Sequence, residues 1–160
     1  MWGRGKGCSR SVPGRVPDAV SAEGRVGDGA ARVLVVDDQK SYREVMRAVI
    51  EATPGLRVVG EANCGEDVLA RIDDLAPDMV IVDIRMPGMG GLALARLLLE
   101  RNPPPAVLLV SAQAPPEALP VAQDGKVVVF VAKEHLRPAL LQKVREDHRR
   151  ADTAPGPGGE

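Results

Sequence analysis

Five polar residues stand where apolar runs end. Asp37 and Asp38 close "RVLVVDD", Asp83 closes "DMVIVD", Ser111 closes "AVLLVS", and Lys133 follows "KVVVFVA". One polar residue at a strand end marks only the place where the strand meets water. Five together, from distant parts of the chain, describe a chemistry. Three carboxylates brought together repel, at about 4 kcal/mol for a like-charge pair about 4 Å apart at an effective dielectric of about 20. A divalent cation removes that cost. Magnesium prefers oxygen ligands, keeps several waters, and takes one or two carboxylates plus a phosphate oxygen. That leaves Asp83 as a nucleophile for a phosphoryl group, a role carboxylates fill in aspartyl-phosphate chemistry. Lys133 supplies a point charge for a phosphoryl oxygen, and Ser111 a hydroxyl donor. Metal and lysine together stabilise charge on the transferring group.

The stretch after Asp83, "IRMPGMGG", fits this reading. Pro87 disfavours helical backbone at Met86. The chain cannot turn straight into a helix, so the carboxylate stays accessible and a carbonyl near Arg85 is left to ligate the metal.

The elements that must position these groups alternate along the chain. The strands are 32–37, 56–62, 78–83, 106–111 and 126–132. The helical patterns are 39–53, 65–75, 91–102 and 137–150. Tyr42, Val45, Met46, Val49 and Ile50 share one face of the first helix; Val68, Leu69, Ile72 and Leu75 share one face of the second. Pro138 is tolerated in the first turn of the last helix. Several strands are apolar throughout, which marks a parallel sheet covered on both faces. The alternation predicts a doubly wound α/β fold, and such folds bind ligands at the carboxyl ends of their strands.

Size and composition narrow the class. The chain has 160 residues, 44% of them hydrophobic and 2% aromatic, so the core must be aliphatic. A formal net charge of −1 gives no broad attraction to nucleic acid or an anionic membrane. No apolar run is long enough to span a bilayer, and the first thirty residues lack a signal-peptide core. The two cysteines, Cys8 and Cys64, then read as free thiols in a reducing cytoplasm. Residues 1–31 and 151–160 are rich in Gly, Pro and Ser or Ala, and read as a disordered extension and a coil tail around a single domain at 32–150. "GRGKGCS" (3–9) lacks the spacing and flanking elements of a phosphate loop.

The motifs "VVDD", "VDIRMPGMGG", "VSA" and "FVAK", in this order, resemble those of the receiver domain of bacterial two-component response regulators, and the resemblance covers roughly residues 32–149. It implies a flavodoxin-like (βα)5 three-layer sandwich with sheet order 2-1-3-4-5. It implies that Asp83 is the phosphoacceptor, and that Asp37, Asp38, Asp83 and the Arg85 carbonyl hold Mg2+. Lys133 would pair with the phosphate, Ser111 would be the switch hydroxyl and Phe130 the switch aromatic. The implied donor is a sensor histidine kinase or phosphotransfer protein. The output protein is unknown, and homodimerisation is possible. "AKEHLRPALL" looks most like receivers that carry a helix-turn-helix output domain; with none following, the chain reads as a stand-alone receiver.

One stretch departs from the pattern. "SAQAPPEALPVAQDGK" (111–126) should hold the fourth helix, and Pro120 falls where its interior should be, at a cost of about 3 kcal/mol. An irregular fourth helix is expected, which puts the output face in doubt. Arg85 and Gln113, two residues beyond Asp83 and Ser111, are placed to influence the water that hydrolyses the phosphate. His135 and His148 read as solvated surface, Met86 and Met89 as loop packing, Cys64 as packing near the end of strand two, and Tyr42 as a partly exposed residue of the first helix. Three other readings stand beside the switch: a non-switching interaction module, the regulatory part of a DNA-binding regulator, and a phosphatase with an aspartate nucleophile. The second has no basic face to support it, and the third lacks a "D-x-D" at a strand end.

Overall fold

A computed structural model describes residues 29–112 and 126–153. Five strands, β1 (Ala31–Val36), β2 (Leu56–Ala62), β3 (Met79–Asp83), β4 (Ala106–Ser111) and β5 (Val128–Ala132), form one sheet in the order β2-β1-β3-β4-β5. Every neighbouring pair is parallel. Helices α1 (Lys40–Glu51), α2 (Gly65–Leu75), α3 (Gly91–Leu99) and α4 (Pro138–Thr153) connect or follow the strands, with a short 3-10 turn at Lys133–His135. This is the flavodoxin-like sheet order expected from the sequence.

The apolar runs feed two cores at once, because alternate residues of a strand face opposite sides. Leu34 and Val36 of β1, Val80 and Val82 of β3, and Val107 and Leu109 of β4 pack against α2 and α3. Val33 and Val35, Met79 and Ile81, and Leu108 and Val110 pack against α1 and α4. The three central strands are therefore buried along their whole length. A one-residue slip would only exchange one apolar set for another, so the ends of these strands must help define the register.

Local differences from the sequence expectation have local causes. Val45 lies on the flank of the α1 stripe and is 56% exposed, whereas Met46 and Ile50 at the centre are buried. α3 ends at Leu99 rather than near 102, ahead of the run Pro103–Pro105 that cannot continue a helix. α4 runs to Thr153, three residues into the stretch read as coil, and the Thr153 hydroxyl donates to the Arg149 and Arg150 carbonyls there. His148 is half-buried rather than solvated, with Nε2 3.1 Å from the Pro104 carbonyl oxygen. Cys64 is buried and disulfide-bonded, so it is not the free thiol expected, and the cysteine argument for a reducing compartment falls away. Its Sγ also caps α2, accepting from the Asp67 amide at 3.4 Å. Cys8, Gln113 and the irregular helix expected between Ser111 and Lys126 lie outside the described residues. No helix among the described residues is long and apolar enough to cross a membrane.

Candidate functional site

The parallel sheet brings its carboxyl ends to one edge, and the polar strand-end residues arrive there together. Asp37 follows β1 and is fully buried, while Asp38 beside it is exposed. Asp83 is the last residue of β3 and is buried. Carboxylate oxygens of Asp37, Asp38 and Asp83 lie within 4.8 Å of one another. Lys133 leaves β5 and reaches back across the edge. Its Nζ stands 2.7 Å from Asp37 Oδ2 and 3.6 Å from Asp83 Oδ2, with the side chain 8% exposed. Ser111 ends β4, one residue beyond the Val110 that pairs with Asp83, and is also buried.

The charge in this cluster is not balanced. Burial raises the pKa of Asp83 above the ordinary carboxylate value, and the neighbouring Asp37 charge raises it further; Lys133 and the Arg85 amide pull the other way. Asp38 is raised for the same first two reasons, burial and then Asp37. Asp37 Oδ1 accepts from the Gln39 amide at 2.9 Å. Its buried Oδ2 is ion-paired with Lys133 but accepts no hydrogen bond of good geometry. Three carboxylates against one ammonium is the donor set of a hard cation.

The loop after Asp83 is shaped by glycine and by a neighbouring helix. Gly88 sits at φ 75°, a left-handed conformation that glycine adopts without penalty. The Gly91 amide donates to the Ile84 carbonyl at 3.0 Å, folding the loop back on itself. A side chain at 91 would place its Cβ 2.2 Å from the Asp83 carbonyl oxygen, so α3 can start this close to Asp83 only without one. Met86 is buried and Met89 packs partly on the α2/α3 core, as loop packing requires. The Arg85 amide lies 3.4 Å from Asp83 Oδ1.

The sequence is matched by the family "Response regulator receiver domain" over residues 33–145. The chain belongs to the response regulator receiver family. A receiver is a phosphoacceptor signalling module of two-component systems, and the Asp37, Asp38, Asp83 and Lys133 pocket is consistent with that activity. The receiver is 41% identical over 116 residues to the positive alginate biosynthesis regulatory protein of Pseudomonas aeruginosa, covering 71% of this chain and 47% of that protein. It is 34% identical over 125 residues to protein-glutamate methylesterase/protein-glutamine glutaminase 1 of Myxococcus xanthus, covering 73% and 36%. Among solved structures it is similar to the response regulator domain of Thermotoga maritima CheB, with a TM-score of 0.59, 26% identity, and coverage of 79% and 99%. The chain spans less than half the length of these curated relatives. Their names point to different outputs, so the receiver portion alone does not specify a helix-turn-helix partner.

Other expected residues fall at or near this edge. Phe130 lies in the middle of β5, paired with Leu109 and half-buried against the α2/α3 core. Arg85 exposes its side chain and offers its backbone to the site. Two contributors, Arg43 and Glu66, were not singled out from sequence, and Tyr42 was named only as a partly exposed helix residue. The Arg43 guanidinium donates to the Asp37 carbonyl at 2.7 Å and fixes the turn into α1. Glu66, in the first turn of α2, accepts from the Met89 amide at 3.2 Å and ties down the loop. The face of the Tyr42 ring lies 3.6 Å from Lys133 Nζ. Tyr42 and Arg43 sit one turn after Asp38, and that position was the only available signal.

Proposed function

We propose that Asp83 is the phosphoacceptor, taking a phosphoryl group from a phosphohistidine of a sensor histidine kinase or phosphotransfer protein. The bond from phosphorus to the donor nitrogen breaks as the bond to an Asp83 carboxylate oxygen forms, and the departing imidazole takes its proton from solvent. The observation that carries this reading is Lys133, poised between Asp37 and Asp83 just after the half-buried edge strand β5. Its ammonium can turn from the carboxylates to a phosphoryl oxygen without leaving the site. The Ser111 hydroxyl stands on the adjacent strand to donate to another oxygen.

Asp37, Asp38, Asp83 and the Arg85 carbonyl would hold Mg2+. The residues fit it: three hard oxygen donors lie within 4.8 Å, and one buried oxygen is short of a hydrogen bond. Bound there, the ion neutralises charge on the carboxylates and on the transferring phosphoryl group. Arg85 stands two residues beyond Asp83, where its side chain can hinder or guide the water that hydrolyses the acyl phosphate.

The receiver, spanning residues 32–150, then acts in the cytoplasm as a switch on a protein partner. Ser111 moves toward the phosphoryl oxygens and Phe130 turns further inward. Phosphorylation shifts this equilibrium only by its differential contacts in the two states. An appended helix-turn-helix output and a homodimer are both compatible with this site. The direct experiment is incubation with Mg2+ and acetyl phosphate, followed by intact-mass measurement. One phosphoryl group per chain is expected with the cation and none with a chelator. Equal modification without a divalent cation would refute the proposed site. Hydrogen exchange with and without beryllofluoride reads the switch, and an unchanged profile at Ser111 and Phe130 would favour a non-switching interaction module.

A further inference from the structure

We propose that Tyr42 is a positioning residue for phosphoryl transfer, its ring face holding the Lys133 ammonium at the mouth of the site. This inference rests on the reading of Asp83 as the acceptor and goes beyond it.

The geometry is specific. Lys133 Nζ lies 3.6 Å from the ring centroid of Tyr42 while also facing Asp37 at 2.7 Å and Asp83 at 3.6 Å. Its side chain is 8% exposed. A lysine is a flexible four-carbon stem with a compact, strongly hydrated charge, so burying its head is costly unless several sides are filled. Two sides are carboxylates. The aromatic face supplies another, attracting the cation through the negative π surface.

The aromatic side differs in kind from the other two. To serve the reaction, the ammonium must give up part of its contact with Asp37 and follow the incoming phosphoryl oxygens. A carboxylate in the place of Tyr42 would compete with those oxygens for the lysine protons. An aliphatic residue would leave the cation with no attraction on that side. A ring face attracts the charge without binding a proton, so the lysine stays in the site while its hydrogen-bond partners change. α1 places the ring there. Tyr42 is one turn before Met46, whose burial against the α1/α4 core fixes the face that α1 turns to the sheet.

The test separates attraction from packing. Phosphorylation of the whole chain by acetyl phosphate is followed for wild type, Tyr42→Leu, Tyr42→Phe, and position 42 carrying phenylalanines of increasing fluorine content. The fluorinated rings keep the shape and drain the π face. Tyr42→Leu should be roughly 3- to 30-fold slower. Tyr42→Phe should stay within about twofold of wild type, because it keeps the face. The fluorinated series should slow progressively. A flat series, or Tyr42→Phe as slow as Tyr42→Leu, would overturn the proposal, since packing alone predicts no dependence on ring electronics. If Tyr42→Leu fails to fold, the fluorinated series decides alone.

A second readout does not depend on transfer. The chain has one tyrosine, so its ring signals are unambiguous. Ring-current shifts on the Lys133 side-chain protons should be present in wild type and Tyr42→Phe, and their absence in wild type would overturn the contact itself. A wild-type chain that shows these shifts but takes no phosphoryl group would leave the contact standing and sink the assignment of Asp83.

Discussion

The two edges of the sheet treat buried charge in opposite ways. At the amino edge, Arg32 and Asp78 have structural tasks. Arg32 is a buried cation whose Nε and Nη2 donate to the Leu75 carbonyl at 3.1 and 2.7 Å, satisfying the last turn of α2. Asp78 accepts from the Arg32 amide at 2.8 Å, and its own backbone bridges Arg32 and Ala106. At the carboxyl edge, three carboxylates share one lysine, two of them have raised pKa values, and a buried oxygen lacks a hydrogen bond. Charge tied to backbone groups by hydrogen bonds holds a structure together, whereas carboxylates crowded around one ammonium form a donor set that suits a cation.

The largest expected effect tests that donor set directly. Asp83→Asn should abolish phosphoryl gain from acetyl phosphate, measured by intact mass. A variant still modified stoichiometrically would move the acceptor elsewhere and undo the contrast between the edges.

The next effect belongs to the other edge. Arg32→Met keeps the apolar stem but strands the Leu75 carbonyl, and should cost about 1–3 kcal/mol in urea unfolding. Phosphorylation of the remaining folded protein should be unchanged. If Arg32→Met slowed transfer as strongly as it lowered stability, the two edges would not be independent.

A subtler effect sharpens the comparison. Asp38→Ala should weaken magnesium affinity and, by removing repulsion, raise the melting temperature of the metal-free chain. The sign with pH follows from the raised values. The folded chain holds its protons on Asp38 and Asp83 above the unfolded value near 3.8, so it binds more protons than the unfolded chain in that window. The contribution of these two groups to stability therefore falls as pH rises from about that value through their folded pKa values. Melting of the metal-free protein across pH should show this fall, and Asp38→Ala should flatten it. An identical profile would mean that Asp38 bears none of the repulsion.

The smallest effect concerns the loop. Glu66→Ala removes one exposed acceptor from the Met89 amide and should cost less than about 1 kcal/mol. Faster amide exchange at Met89, with stability hardly changed, is the expected signature.

Much of the carboxyl edge was legible because strand ends announce themselves. Continuous apolar runs identify parallel strands, and a parallel sheet puts all their carboxyl ends on one side. Asp37, Asp38, Asp83, Ser111 and Lys133 could therefore be assembled from periodicity alone. The amino edge was not legible: Arg32 lies next to the start of β1, where a charged residue reads as solvent-facing. Its burial depends on where α2 ends, with Ala76 in a left-handed conformation. Tyr42 is partly exposed on α1 as its sequence position indicated, but its role beside the site was not legible. Helical spacing gave its face, but not the lysine that returns from β5 to meet it. The state of Cys64 left no trace in local pattern, and Val45 shows that a flank position cannot be told from a central one by hydrophobicity.

Lys133 and Asp37 come from opposite ends of the domain, and their contact gives the carboxyl edge a place in time. No strand of a parallel sheet pairs through a tight hairpin, so the Lys133–Asp37 pair exists only after β1, β3, β4 and β5 have all docked, whereas the three carboxylates meet once β1 and β3 pair. The repulsion is therefore met before the lysine that relieves it is in place. An attraction that forms only in the assembled sheet slows unfolding and leaves folding nearly untouched. The Lys133–Asp37 pair is thus expected to lengthen the lifetime of the metal-free native chain by acting on the unfolding rate.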